Sequence, residues 1–286
     1  MGDLSEIGDA VRLPANIKVL SYLRDHVFES TAVFPAVESM QRLAAAARNL
    51  EAGLDAATLM DAAFGKFLVV GEKEQAIEAF VEFEKLGGQR ISAALITRMR
   101  IAGSAMTRTR EHARICFARQ GVISENPEIP DLMGSETEMQ VPAGDVYSEL
   151  VPMGPAYQNL AGSVQLCPAG ASAEIRTPDL PEASGPLGSP FALDAAFHAA
   201  CVWGQRYSGF IGFPVGFARR HVIRPTVPGQ KYAARILPDG CKHGENIFDL
   251  WIFQAENRVF EVVRGLRMRD VTGGRKKPPA WIHKGL

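Results

Sequence analysis

The chain has 286 residues, of which 31 are basic and 32 acidic, with 47% hydrophobic and 22% charged content. A net charge of −1 gives no overall attraction to nucleic acid or to an anionic membrane, and the apolar share suffices for one large core or two smaller ones. No apolar run approaches the roughly 20 residues needed to span a bilayer, and Met1–Leu13 is acidic where a secretory signal is basic, so a cytoplasmic protein is expected.

The first strong pattern follows Pro35, where Val37, Met40, Leu43, Ala44 and Ala47 recur at helical spacing. Strand-like stretches come next, at Phe67–Val70, Ala79–Glu84, Ile91–Ile101 and Ala113–Arg119. From Val122 to Pro142 the composition turns to Pro, Glu, Ser and Gly, which reads as a linker. A second helix is expected at Pro190, followed by strands at Val222–Val227, Lys231–Leu237, Ile247–Gln254 and Val259–Met268. Helix then sheet, twice, suggests a duplicated unit of one helix wrapped by antiparallel strands, an α+β fold.

The four cysteines, Cys116, Cys167, Cys201 and Cys241, lack the close spacing of a zinc site, so no metal is expected. Cys116 and Cys201 read as reduced packing residues.

In the second helix Ser189 reads as an N-cap, Pro190 as the first helical residue and Gly204 as the stop. Nearly everything between is apolar, as in a helix buried on all sides. Yet it carries Asp194 and His198, four apart and on one face. A buried carboxylate costs several kcal/mol unless it is paired, so this is either an internally satisfied pair or a chemical one. In the N-terminal half, His26 precedes the Pro35 helix, and a lone histidine there is as readily a core or capping residue as a base.

The spacings add a resemblance. His26, Ser30 and Pro35 resemble the His-x-x-x-Gly-x-x-x-x-Pro signature of the dehydratase domains of polyketide and fatty acid synthases, and Asp194 to His198 resembles that family's Asp-x-x-x-Gln or Asp-x-x-x-His signature. In family order, Tyr147–Leu150 with Gly154-Pro155-Ala156-Tyr157 looks like its Tyr-Gly-Pro-x-Phe region. Phe213-Pro214-Val215-Gly216-Phe217 looks like its Leu-Pro-Phe-x-Trp segment, and Val263–Met268 resembles its last strand. The resemblance covers roughly residues 15 to 271.

It implies a double hotdog, two tandem units each with a central helix wrapped by a curved antiparallel sheet. Residues 1–125 would form the unit with His26, 126–142 a linker, 143–271 the unit with Asp194 and 272–286 a basic tail. The implied activity removes water from a 3-hydroxyacyl thioester on the phosphopantetheine of an acyl carrier protein, giving a 2-enoyl thioester, with no other cofactor. His26 would take the α-proton. Asp194, kept protonated by burial, would protonate the leaving hydroxyl, and His198 would orient Asp194 or share that role. Ser30, Pro35, Ala36, Gly154, Pro155, Tyr157 and Pro214 are the expected substrate-binding residues, with the Ala36 N–H a candidate donor to the thioester oxygen.

Ser30 stands where the family has glycine, Met153 replaces the tyrosine of Tyr-Gly-Pro, Tyr157 its phenylalanine and Phe217 the tryptophan of Leu-Pro-Phe-x-Trp. Two alternatives remain. One is related hotdog chemistry, as isomerase, hydratase or product-template-like cyclase; the other is a non-catalytic acyl-binding module. The module starts at Met1 and reads as a discrete protein that recruits its carrier in trans, with Arg219 and Arg220, Arg98 and Arg100, or Lys276 and Lys277 as docking cations. A homodimer is compatible with the resemblance but not required by it.

Overall fold

Two helices form the centre of the molecule, a computed structural model that describes residues 10–51, 53–87, 90–100, 107–118, 127–132, 137–255 and 257–285. Helix α1, Ala36–Leu50, starts after an extended Pro35 and buries Val37, Met40, Leu43, Ala44 and Ala47 along one face, as their spacing requires. Helix α3, Phe191–Tyr207, has no exposed face from Phe191 to Arg206, so its apolar residues show no helical period. A short turn, α2, Ala143–Asp145, continues as a π-helical segment through Leu150.

Both ends of α3 differ from expectation. Pro190, not Ser189, holds the N-cap position, without a side-chain cap. Gly204 remains helical, its carbonyl accepting from Ser208 N–H, and the left-handed residue that ends the helix is Gly209 at φ +72°.

Twelve strands form one antiparallel sheet: β1 Ala10–Lys18, β4 Asp55–Phe64, β5 Ala76–Leu86, β6 Arg90–Arg100, β7 Thr107–Ala118, β8 Met139–Pro142, β9 Leu160–Cys167, β10 Gly170–Arg176, β11 Phe213–Val222, β12 Lys231–Lys242, β13 Glu245–Gln254 and β14 Arg258–Arg269. Their order is β1-β5-β6-β7-β4-β11-β14-β13-β12-β10-β9-β8, so strands from the two halves meet once, where β4 pairs with β11. A separate hairpin pairs β2, Val27–Phe28, with β3, Thr31–Ala32. Helix α1 packs against β4, β6 and β7, α3 packs against β9, β10, β12 and β13, and the two helices touch. The repeated helix-then-sheet pattern is present.

Several expected strands need correction. Phe67–Val70 is extended but makes only the bridge Val33–Val69; the strand lies earlier, in the alanine-rich Asp55–Phe64. Val222–Val227 is not a strand, because β11 ends at Val222 and Pro225 has no N–H for a ladder. Met139–Pro142, inside the stretch read as a linker, is the edge strand β8. Ile101 and Arg119, the expected ends of two strands, lie outside the described residues, as does the side chain of Arg100. Cys116, Cys167 and Cys201 are buried thiols and Cys241 is exposed. No described helix is long and apolar enough to cross a membrane.

Candidate active site

His26 is held by local backbone and by contacts from distant parts of the chain. It follows the 3-10 turn Ser21–Asp25 and opens the β2–β3 hairpin, whose two-residue turn, Glu29-Ser30, has φ of +48° and +63°. Such a turn matches the twist of its strands and favours glycine at both places, so Ser30 holds a left-handed backbone at a steric cost. Behind the loop, Asp25 carbonyl accepts from Gly154 N–H at 2.7 Å and its carboxylate from Ala156 N–H at 2.9 Å. Helix α1 ties together the segments that carry His26 and Asp194: Tyr22 O–H donates to Glu38 at 2.8 Å, and Gln41 bonds Gly188 carbonyl and Leu187 N–H just ahead of α3.

His26 Nδ1 lies 3.0 Å from Val33 carbonyl, which can only accept. A neutral imidazole there carries its proton on Nδ1 and leaves Nε2 bare. Burial is the main cause that pulls this imidazole below its ordinary value; the Asp194 charge opposes it and His198 adds to it.

Bare Nε2 faces Asp194 Oδ1 across 3.9 Å, too far for a hydrogen bond. The other oxygen, Oδ2, is 3.1 Å from His198 Nε2, close enough for an ion pair but poorly aligned for a ring N–H bond, so it lacks a conventional donor. His198 Nδ1 in turn approaches Tyr147 O–H at 3.5 Å, whose oxygen accepts from Leu160 N–H at 2.9 Å. Burial alone would raise the Asp194 carboxyl, but His198 first and then His26 outweigh it and hold it below the ordinary carboxylate range. The expectation of an Asp194 kept protonated by burial is therefore corrected.

These groups face a cavity of about 690 Å³, the size of a small-molecule site. Ser30, Ala36 and Pro214 line it, as expected, with Phe64, Leu68 and Phe197 among its apolar walls. Pro35, Gly154, Pro155 and Tyr157 do not line it. Gly154 packs on Asp25, so close that a Cβ would stand 2.6 Å from Asp25 Cβ. Tyr157 is fully buried behind His26, its ring edge-on at 5.0 Å, and its hydroxyl has no partner among the described residues. Met153, two residues ahead of Pro155, does line the cavity. The Ala36 N–H has no acceptor among the described residues, as the first amides of a helix require.

Several residues not singled out as site candidates also line the cavity. His112 lines the wall, its ring bonded to Lys66 carbonyl at 3.0 Å and to Thr97 Oγ1 at 2.8 Å, which fixes the Gly65–Leu68 wall. Phe28, Phe67 and Phe213 cluster near the mouth. Cys201 lies two turns beyond Asp194 and one beyond Phe197 on the cavity face of α3, a position the helical spacing contained. Of the docking cations, Arg220 is buried against Glu261 and offers no surface charge, whereas Arg98 and Arg219 are exposed. No group of three or more metal-ligating side chains converges among the described residues.

Comparison with known proteins gives one family. The model of the polyketide synthase dehydratase N-terminal domain matches residues 132–278, the span that holds Asp194. No curated protein matches the sequence. Among solved structures, the dehydratase domain from the CurF module of the curacin polyketide synthase superposes with a TM-score of 0.74 at 18% identity, over 93% of this chain and 96% of that one. The dehydratase domain of a mycocerosic acid synthase-like polyketide synthase gives 0.71 at 17%, over 94% and 98%. A bifunctional dehydratase-cyclase domain from ambruticin biosynthesis gives 0.67 at 19%, over 91% and 92%. The shared fold is the double hotdog.

Proposed function

The chain belongs to the polyketide synthase dehydratase family, and from that membership we propose that it removes water from a 3-hydroxyacyl thioester on the phosphopantetheine arm of an acyl carrier protein, leaving a 2-enoyl thioester. The observation that carries the reading is the bare Nε2 of His26 facing Asp194 Oδ1 at 3.9 Å inside an apolar cavity.

Dehydration breaks bonds on adjacent carbons, so base and acid must stand close together without quenching each other. His26 Nε2 takes the α-proton, and the C–H electron pair becomes the new C=C bond. The Cβ–O bond breaks, and the leaving oxygen receives a proton from Asp194, so the reacting form is the one in which Asp194 is protonated with His198 beside it. Negative charge developing on the thioester oxygen meets the free amide of Ala36 at the start of α1. Protons and electrons balance without an oxidant or a metal.

The test is detection of enoyl product by ultraviolet absorbance and mass when purified protein meets short and medium 3-hydroxyacyl pantetheine thioesters, with His26→Ala in parallel. Loss of water by the wild type alone supports dehydration with His26 as base. Consumption of substrate without change of mass would replace it with isomerisation or cyclisation at the same residues. No turnover in either direction, with folded protein, would favour an acyl-binding module.

A further inference from the structure

The C-terminal tail contributes exposed residues to the cavity wall. After β14 the chain turns at Asp270, whose carboxylate accepts from Thr272 N–H, Thr272 Oγ1 and Gly274 N–H, each at 2.6 Å. Arg275 then pairs with Glu29 at 3.3 Å, and Lys276 Nζ stands 5.6 Å from the centre of the Phe28 ring. Farther on, Trp281 Nε1 donates to Glu149 Oε2 at 2.6 Å, Ile282 is fully buried, and Arg206 donates to Ile282 carbonyl at 2.7 Å and Lys284 carbonyl at 3.2 Å. Glu29 and Glu149 both line the cavity, so residues 275–281 span two points of its rim like a strap.

Three lysines line that rim, Lys276 and Lys277 from the strap and Lys66 from the wall. None of their ammonium groups pairs with a carboxylate among the described residues, while the acids nearby are taken, Glu29 by Arg275 and Glu149 by Trp281. An acyl chain gives no use to unpaired cations beside an apolar cavity; a phosphate does.

Resting on the reading of the site as one that receives a pantetheine arm, we propose that the strap forms an anion site in which Lys276 and Lys277, with Lys66, hold the phosphate at the outer end of that arm. The strap then ties the tail to substrate recognition.

Calorimetric titration with 4′-phosphopantetheine and with pantetheine, neither of which reacts, reads the phosphate directly. At low salt the phosphorylated arm should bind about tenfold tighter or better, the worth of a charge-assisted contact, and the difference should shrink as salt rises. Lys276→Gln/Lys277→Gln should bring the two affinities close together. Equal affinities in the wild type, or a preference retained in the double variant, would overturn the proposal, and the wild-type comparison stands even where the variant fails to fold. The same arm comes from coenzyme A or from a carrier protein. Coenzyme A matching phosphopantetheine, or a loaded carrier doing so, supports the phosphate as determinant and names that source. Binding with phosphate preference, but no turnover of the 3-hydroxyacyl form, would keep the lysine site and overturn the dehydratase reading alone.

Discussion

His26 Nε2 and Asp194 Oδ1 stand 3.9 Å apart, brought together from opposite halves of the chain by two central helices that touch. The ring of His26 is turned by the Val33 carbonyl and the carboxylate of Asp194 is engaged on its far side by His198, so each presents one free atom to the other. That asymmetry is what the proposed base and acid need in one desolvated space.

Removing either partner should therefore be severe. His26→Ala and Asp194→Asn are each expected to lower kcat by about a hundredfold or more, the scale of a lost acid or base. His198→Gln should be much milder, because an amide can still donate to Asp194. Steady-state kinetics on one 3-hydroxyacyl thioester decide this, and equal losses in all three would remove the assigned roles.

The pH profile follows from the direction of the His26 shift. Burial lowers its folded pKa below the ordinary 6.5, so the base stays neutral until the pH drops below that value. The acidic limb of kcat/KM should have its midpoint under 6.5, and NMR titration of His26 should show the same midpoint. Asp194→Asn removes the charge that raises His26, so the NMR midpoint should move still lower. A midpoint at or above 6.5 in the wild type would mean that His26 is not the desolvated base.

Much of this site was legible because its parts are local. Asp194 and His198 share a helix face at a spacing of four, and the apolar residues around them announce burial. Pro35 and the repeat of Val37, Met40 and Leu43 announce α1. The protonation state was not legible, since it depends on two imidazoles placed by tertiary packing. Nor was the role of Gly154 and Tyr157, which the motif suggested as substrate contacts and the fold uses to back the His26 loop. Strand β4 was hidden by its alanines and aspartates, poor strand formers that burial in the sheet overrides.

Gly154→Ala tests that backing. A Cβ there would meet Asp25 Cβ at 2.6 Å and Cα at 2.7 Å, in a place where the backbones are already bonded. Overpacking of this kind costs about 1–3 kcal/mol, and relief by movement of Asp25 would carry His26 with it. Thermal denaturation should register a loss of stability and kinetics a fall in kcat larger than any change in KM. Unchanged kcat with lowered stability would mean that the His26 loop is positioned from elsewhere.

Arg220 and Glu261 form a further buried charged pair, 1% and 0% exposed, on the neighbouring strands β11 and β14. Arg220 donates from Nε at 2.8 Å and Nη2 at 2.6 Å to one oxygen, while Glu261 Oε1 has no partner among the described residues. Burial raises the Glu261 carboxyl, and Arg220 only partly offsets it. Arg220→Met would leave that carboxyl alone in the core and should destabilise by about 3–5 kcal/mol in urea denaturation. A raised folded pKa gives stability that is complete below the unfolded value and lost as pH rises through the folded one. The variant's deficit should therefore grow from acid toward neutral pH, and adding Glu261→Met should recover most of it. A deficit independent of pH, or one that Glu261→Met deepens, would assign the loss to packing around Arg220 rather than to a stranded charge.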